Sequence, residues 1–263
     1  MLDRITPVIL TFNEAPNIGR ALGHLSWAKD VVVVDSYSTD ETVAIVRQFS
    51  NARVFLRMFD NHSHQWNFGI HETGIGSEWV LALDADYVVS DDLLLEIQSL
   101  APENDVVGYR VSFKYCIEGR PLRATAYTPV TVLFRRERAE YVQDGHTQRV
   151  IVHGKIVDLS GFIFHDDRKS LSRWVTSQDR YMKLEAEKLL IASWSSLGWA
   201  GRIRKLRFIA PFAMLFYCLF LQGLLLDGRI GLFYSLQRTF AELLLSLRLL
   251  QHDISSASKK MIE

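Results

Sequence analysis

Cysteine is nearly absent from this sequence: Cys116 and Cys218 are the two present in 263 residues. That excludes a disulfide framework and a cysteine zinc site, and the simple reading is a reducing compartment. Excess charge is missing too. Lys plus Arg and Asp plus Glu each number 30. A nucleic-acid binder usually shows a basic surplus, so no nucleic-acid partner is expected. The start lacks a charged stretch followed by an apolar run, so a cleaved signal peptide is not expected. Repeats and low-complexity tracts are absent. The first strand–helix junction has no glycine, which disfavours a Rossmann dinucleotide enzyme. Apolar residues are plentiful, at 48%. They suffice for one large domain, or one of usual size plus an appendage.

The first hundred residues alternate short apolar runs with helical periods. Strands are expected over Ile5–Leu10, Val31–Val34, Arg53–Leu56 and Trp79–Leu83. Helices are expected over Glu14–Leu25, Asp40–Phe49, Ser63–Thr73 and Asp91–Leu100, with Ser90 capping the last. This alternation predicts an α/β fold with a largely parallel sheet built from right-handed crossovers. The middle differs. Val106–Phe113, Thr131–Arg135 and Phe162–Phe164 read as strands without intervening helices. Arg149–Val152 and Lys155–Val157 read as a hairpin turning at His153-Gly154. A mixed sheet is therefore expected. Ser170–Ile191 has helical periodicity, and Ser255–Glu263 reads as a frayed polar tail.

In open α/β sheets, ligands bind beyond the carboxyl ends of the strands. Thr11, Phe12, Asn13 and Glu14 follow the first strand. Asp35, Ser36, Tyr37, Ser38, Thr39 and Asp40 follow the second, and Asp84, Ala85 and Asp86 the fourth. These carboxylates and hydroxyls suit a base and ribose, and offer hard oxygen ligands to a divalent cation. Asn13, Glu14, Ser38, Thr39 and Asp40 have helix capping as their alternative. Asp84 and Asp86 directly end a buried strand, where two carboxylates repel unless a cation lies between them.

Three segments taken in order carry a resemblance: Val-Ile-Leu-Thr-Phe-Asn-Glu at 8–14, Val-Val-Val-Val-Asp-Ser-Tyr-Ser-Thr-Asp-Glu-Thr at 31–42, and Trp-Val-Leu-Ala-Leu-Asp-Ala-Asp at 79–86. Together they resemble the family 2 glycosyltransferases, and within them the branch with lipopolysaccharide-core β-glucosyltransferases. The likeness is strong over about the first hundred residues and looser beyond. It implies a GT-A fold and inversion at the sugar's anomeric carbon. Thr11, Asn13 and Glu14 would line the nucleotide pocket. Asp35 would meet the base or ribose, with Ser36 and Asp40 nearby. Asp86 would bind Mg²⁺ or Mn²⁺ through the donor diphosphate, and Asp84 would assist on the ribose side. His165 would be a metal or diphosphate contact. Relatives carry a Glu-Asp pair or His-Glu where this chain has Gln143-Asp144-Gly145-His146-Thr147. Asp144 is the favoured general base and His146 the runner-up. Arg180 is either a diphosphate contact or a surface residue. Gln65, Trp66 and Asn67 stand where relatives have a polar pair facing the donor, with a core role as the alternative for Trp66.

Hydrophobicity concentrates near the end. Arg202, Arg204, Lys205 and Arg207 precede an almost uncharged run, Phe208–Leu226, about long enough to cross a hydrocarbon core. Asp227-Gly228 breaks it, and Ile230–Leu250 resumes as an amphipathic helix. An interfacial or re-entrant tail is expected, its basic cluster facing an anionic cytoplasmic leaflet of the inner (plasma) membrane. A soluble homo-oligomerisation helix pair is the alternative. The expected division is a catalytic domain over 1–200 and a helical tail over 201–263. The function read from this is transfer of a hexose, from a nucleotide sugar carrying UDP, to a lipid-linked glycan such as lipopolysaccharide core. Transfer to polyprenyl phosphate and a non-catalytic sugar-nucleotide-binding scaffold are the alternatives.

Overall fold

The computed structural model describes residues 1–125, 127–144 and 147–260, with the backbone alone at 144, 147, 259 and 260. Its elements are β1 (Ile5–Thr11), α1 (Ile18–Gly23), β2 (Val31–Asp35), α2 (Thr42–Val46), β3 (Ala52–Leu56), α3 (His62–His71), β4 (Trp79–Asp84), β5 (Tyr87–Val89), α4 (Asp91–Ser99), β6 (Val106–Ile117), β7 (Arg120–Pro121), β8 (Val130–Arg135), β9 (Ala139–Asp144), β10 (Thr147–Val152), β11 (Lys155–His165), α5 (Leu171–Ile191), α6 (Trp199–Lys205), α7 (Ile209–Phe216) and α8 (Gly228–Lys260).

Four valines in a row make β2 because both faces of its sheet are covered. Val31 and Val33 enter one core with Ile18, Leu22 and Val46; Val32 and Val34 enter another with Trp66 and Ile70. β4 divides in the same way, with Trp79, Leu81 and Leu83 on one side and Val80 and Ala82 on the other. Helices α1, α2 and α4 thus line one face, and α3 the other. Among the described residues the main sheet has nine strands, ordered β3-β2-β1-β4-β8-β6-β11-β5, with β7 paired to β6. Strands β1 to β4 are mutually parallel where they pair, β8 runs antiparallel to β4 and β6, and β11 is parallel to β6. The expected α/β mixed sheet is present.

The hairpin expected at 149–157 does not form. β10 instead pairs antiparallel with β9, Val152 opposite Ala139 and Thr147 opposite Asp144. β11 leaves for the main sheet, where Lys155 lies opposite Val106. Paired this way, Val150 and Val152 pack against the second core. The first helix is also shorter than expected: Glu14 to Asn17 form turns before α1, Pro16 among them.

The chain falls into two units, Met1–Pro121 with Tyr127–Lys169, and Leu122–Ala126 with Ser170–Glu263. In the second, Leu245 and Leu249 of α8 pack on Ala186 and Leu189 of α5. Arg204 reaches buried Glu242 through Nε at 3.0 Å and Glu185 at 3.5 Å. Arg207 pairs with Asp253 at 2.9 Å. Two of the four basic residues expected to face a membrane are thus paired within the chain, Arg204 with a buried carboxylate and Arg207 with an exposed one. Among the described residues no single helix is long and apolar enough to cross a membrane. Ile209–Leu221 and Leu224–Ser258 pass that test only together, and they are bent by 71°. Gly223, at φ 68°, takes the left-handed turn at the break. The tail expected to fray over Ser255–Glu263 is corrected as far as it is described: α8 continues to Lys260, and residues 261–263 lie outside the described residues.

Candidate active site

The carboxyl end of β1 lies between those of β2 and β4, with Thr11 opposite Asp35 and Leu10 opposite Asp84. Strand order departs on both sides of β1, so the crevice there is a topological switch point.

On the β2 side the polar residues knot the two loops together. Fully buried Asp35 accepts from Thr11 Oγ1 at 2.7 Å, from Ser38 Oγ at 2.6 Å and from the Ser38 amide at 2.7 Å. Ser38 Oγ in turn accepts from the Asn13 amide at 2.7 Å, and Asn13 Oδ1 accepts from the Thr39 amide at 2.7 Å. Asp40 accepts from the Ala15 and Thr42 amides at 3.3 and 3.1 Å, and Thr42 Oγ1 accepts from the Glu14 amide at 2.7 Å. Asn13 and Tyr37 hold left-handed backbone, φ 55° and 59°, which these bonds stabilise. The knot presents Phe12 and Tyr37 half exposed. Ser36 Oγ accepts from buried Gln65 Nε2 at 3.1 Å. Trp66 is a core residue, stacked on Tyr141 with centroids 5.1 Å apart, and Asn67 bonds the Tyr141 backbone twice at 2.9 Å.

On the β4 side the carboxylates meet cations. β5 pairs with β11 so that Tyr87 lies opposite His165. That register brings His165 Nε2 to 3.2 Å from Asp86 Oδ2, and the Asp166 amide donates to the Asp86 carbonyl at 3.0 Å. Four residues beyond β11's end, Lys169 Nζ sits 2.6 Å from Glu14 Oε1 and 3.7 Å from Asp167 Oδ1. The Tyr87 hydroxyl favours the charged form of Asp84. Tyr87, Tyr115 and Tyr127 surround His165 with ring centroids at 5.1, 4.7 and 5.3 Å. His165 Nδ1 is buried and has no hydrogen-bond partner among the described residues.

Burial and then charge set the protonation here. Burial pushes Glu14 up to about 7, aided by Asp86 and opposed by Lys169. Burial and then Asp86 push Asp84 up to about 6. Burial acts on Asp86 in the same sense, but His165 and Lys169 outweigh it and bring it down to about 2. Burial disfavours the charged forms of His165 and Lys169, yet Asp86 and its neighbours hold both above their ordinary values.

Glu14, Asp84, Asp86 and His165, picked out separately in the sequence, therefore share one electrostatic cluster. Thr11, Asn13, Asp35 and Asp40 belong to the adjoining knot. Asp144 ends β9, its side chain outside the described part of the structure, and His146 lies outside the described residues. In the second unit Arg180 stacks over Tyr181, 5.5 Å from its centroid. Sequence reasoning missed Asn17, Tyr87 and Lys169. The available signal for Lys169 was a cation just after the acidic pair Asp166-Asp167 beyond a strand.

Residues 6–170 match the family model Glycosyl transferase family 2. An uncharacterized glycosyltransferase of Rickettsia felis is 28% identical over 204 residues, 72% of this chain and 71% of that protein. The lipopolysaccharide core biosynthesis glycosyltransferase LpsC of Rhizobium meliloti is 25% identical over 223 residues, 79% of this chain and 77% of its own. Among solved structures, S. aureus TarS 1–349 in complex with UDP-GlcNAc aligns at TM-score 0.48 and 15% identity, covering 91% of this chain and 90% of that one.

Proposed function

Because this chain belongs to glycosyl transferase family 2, we propose that it moves a hexose from a UDP-linked donor to a lipid-linked glycan, with inversion at the anomeric carbon. The observation that carries this reading is the set of Asp84, Asp86, His165 and Lys169 at the switch point beside β1, Asp86 buried and the other three partly so. Such a place suits a pyrophosphate and its counter-charge. Phe12 and Tyr37, each half exposed, offer aromatic surface for a base. Likeness to LpsC supports a lipopolysaccharide-core acceptor.

The family reading implies a divalent cation, Mg²⁺ or Mn²⁺. Among the described residues no three His, Cys, Asp or Glu side chains form a ready metal cluster. The fit is instead to a cation that takes one or two protein carboxylates and completes its shell on substrate phosphates. Asp86 and His165 would hold it, with Asp84 beside them; His165 Nδ1 is buried and without a hydrogen-bond partner among the described residues, which fits a ring that still has a nitrogen to offer. A bound cation neutralises charge developing on the departing diphosphate. The chain's own groups do the rest. The acceptor hydroxyl oxygen bonds to C1 from the face opposite the diphosphate, and the C1–O bond to the β-phosphate breaks. The hydroxyl proton passes to Asp144, with His146 as second choice.

The exposed rings of Phe208, Phe212, Phe216 and Phe220 support contact with a membrane surface, at the cytoplasmic face of the inner membrane. Titrating the purified protein with a UDP-sugar panel, with and without Mn²⁺, tests the donor reading. Metal-dependent binding and slow hydrolysis of one donor are expected, and Asp86→Ala should lose the metal dependence. A folded protein that binds no nucleotide sugar would overturn the reading.

A further inference from the structure

Three cations flank the loop after β11, and they differ in what holds them. Arg168 pairs with Asp166 at 2.9 Å, and Arg20 donates to the Asp166 carbonyl at 2.5 Å and lies 3.6 Å from its carboxylate. Both guanidinium groups are thereby turned to Asp166. Lys169 turns the other way, onto Glu14, within electrostatic reach of Asp86, and its side chain is 17% exposed. A lysine that far out of water needs a reason to stay there.

Its placement is built. Fully buried Asn17 donates from Nδ2 to Glu14 Oε2 at 2.9 Å and to Asp167 Oδ1 at 3.0 Å. Its Oδ1 accepts from the Arg168 amide at 3.0 Å and from Arg20 at 3.4 Å. The Lys169 amide donates to Asp167 Oδ1 at 3.1 Å. One side chain therefore ties the turn after β1 to the loop after β11, and both the lysine and its partner Glu14 hang from that tie.

Charge in the cluster is unbalanced. Glu14, Asp84, Asp86 and Asp167 face Lys169 and His165, so the lysine is the permanent cation among them. An ammonium is a compact point charge with three donors on a flexible stem. It exchanges one oxygen partner for another within a few ångströms without rebuilding the backbone.

We propose that Lys169, positioned through Asn17, is a protein-borne cation for the donor's diphosphate: it holds Glu14 in the free protein and moves to a phosphoryl oxygen when the nucleotide enters. This rests on the nucleotide-sugar reading above and adds a contact that does not run through the metal. Its consequence is that part of the nucleoside diphosphate affinity survives removal of divalent cations.

The test is calorimetric titration with UDP, GDP, ADP and dTDP in Mn²⁺ to choose the nucleotide, then repetition in EDTA beside the matching nucleoside. Wild type in EDTA should bind the diphosphate about tenfold or more tighter than the nucleoside. Lys169→Met should lose about tenfold to a hundredfold in diphosphate affinity in EDTA, with nucleoside affinity unchanged. Lys169→Arg should keep part of it. Equal diphosphate binding by Lys169→Met and wild type in EDTA overturns the inference and leaves the donor reading standing. So does equal weakening of nucleoside and diphosphate, together with a lowered melting temperature, which marks a merely structural ion pair. If Lys169→Met does not fold, the wild-type comparison decides alone: diphosphate and nucleoside binding equally in EDTA overturns it. A wild type that binds no nucleotide even in Mn²⁺ overturns both readings.

Discussion

Two aspartates lie at the carboxyl edge of one sheet, Asp35 ending β2 and Asp86 in the turn after β4, and their surroundings give them opposite characters. Asp35 has its oxygens filled by Thr11 and Ser38, which makes it the pin of a loop knot. Asp86 sits among titratable neighbours, and their protonation should be visible in stability. Glu14 and Asp84 are raised to about 7 and about 6, from ordinary values of 4.5 and 3.8, by burial above all. Between those limits the folded state holds protons that the unfolded chain has released. Stability should therefore fall as pH rises through that window. His165 is raised too, so its contribution is complete below 6.5 and is lost as pH rises through its folded value. Asp86, lowered to about 2, has the opposite sign, but its contribution is lost only as pH falls below 3.8. The expected result is a urea midpoint that declines from about pH 5 to about pH 8, with Asp84→Asn flattening the slope. A wild-type profile flat over that range would mean that the cluster is solvated rather than buried.

At the scale of elements, legibility followed locality. β1, β2 and β4 were readable because strands buried on both faces must be continuous apolar runs. The Asp84-x-Asp86 pair was readable because it ends one of them. β5, β9 and the partner of β10 were not, since pairing across long sequence separation leaves no mark in a local pattern. His165 was singled out by resemblance, but its meeting with Asp86 depends on the Tyr87–His165 register, which joins residues far apart in the chain. Asn17 and Lys169 act from loops that meet only in the fold. The polar end of α8 misled because a helix running on with a solvated surface needs no apolar period. One element-level device is open to direct test. β11 breaks register between Asp158 and Phe162, and there the Ser160 and Gly161 amides donate to Glu96 at 2.9 and 2.8 Å. A Cβ on Gly161 would come within 2.5 Å of the Leu93 backbone. Gly161→Ala should therefore cost about 1–3 kcal/mol by overpacking. Glu96→Ala should cost about 1 kcal/mol, chiefly by leaving the buried Gly161 amide unpaired, since water can reach the exposed Ser160 amide. Urea unfolding measures both; costs near zero would mean that α4 moves freely against the bulge.

For the whole molecule, charge and apolar surface point to different kinds of partner. Equal numbers of acidic and basic residues leave no net charge to draw the chain to an anionic surface. Arg204 and Arg207 are taken by Glu242 and Asp253, which removes much of the local basic cluster as well. Apolar exposure is heavy in the second unit: Phe212 is 73% exposed and Phe208 67%, while Leu236, Leu243 and Leu247 form an exposed row on α8. Exposed apolar patches of this kind mark interaction surfaces. A membrane held mainly by apolar insertion should be bound with little regard to headgroup charge or salt. In flotation with zwitterionic phosphatidylcholine vesicles the protein should rise with the lipid, and should still do so at about 0.5 M NaCl, where screening removes surface electrostatics. Phe212→Ser with Phe216→Ser should cut the bound fraction by about tenfold or more, because each buried ring is worth about 1.5–3 kcal/mol. Salt-sensitive binding that the double variant retains would transfer the role to the remaining basic residues. A wild type that stays monodisperse without detergent and fails to float would show that these helices are covered by something other than lipid.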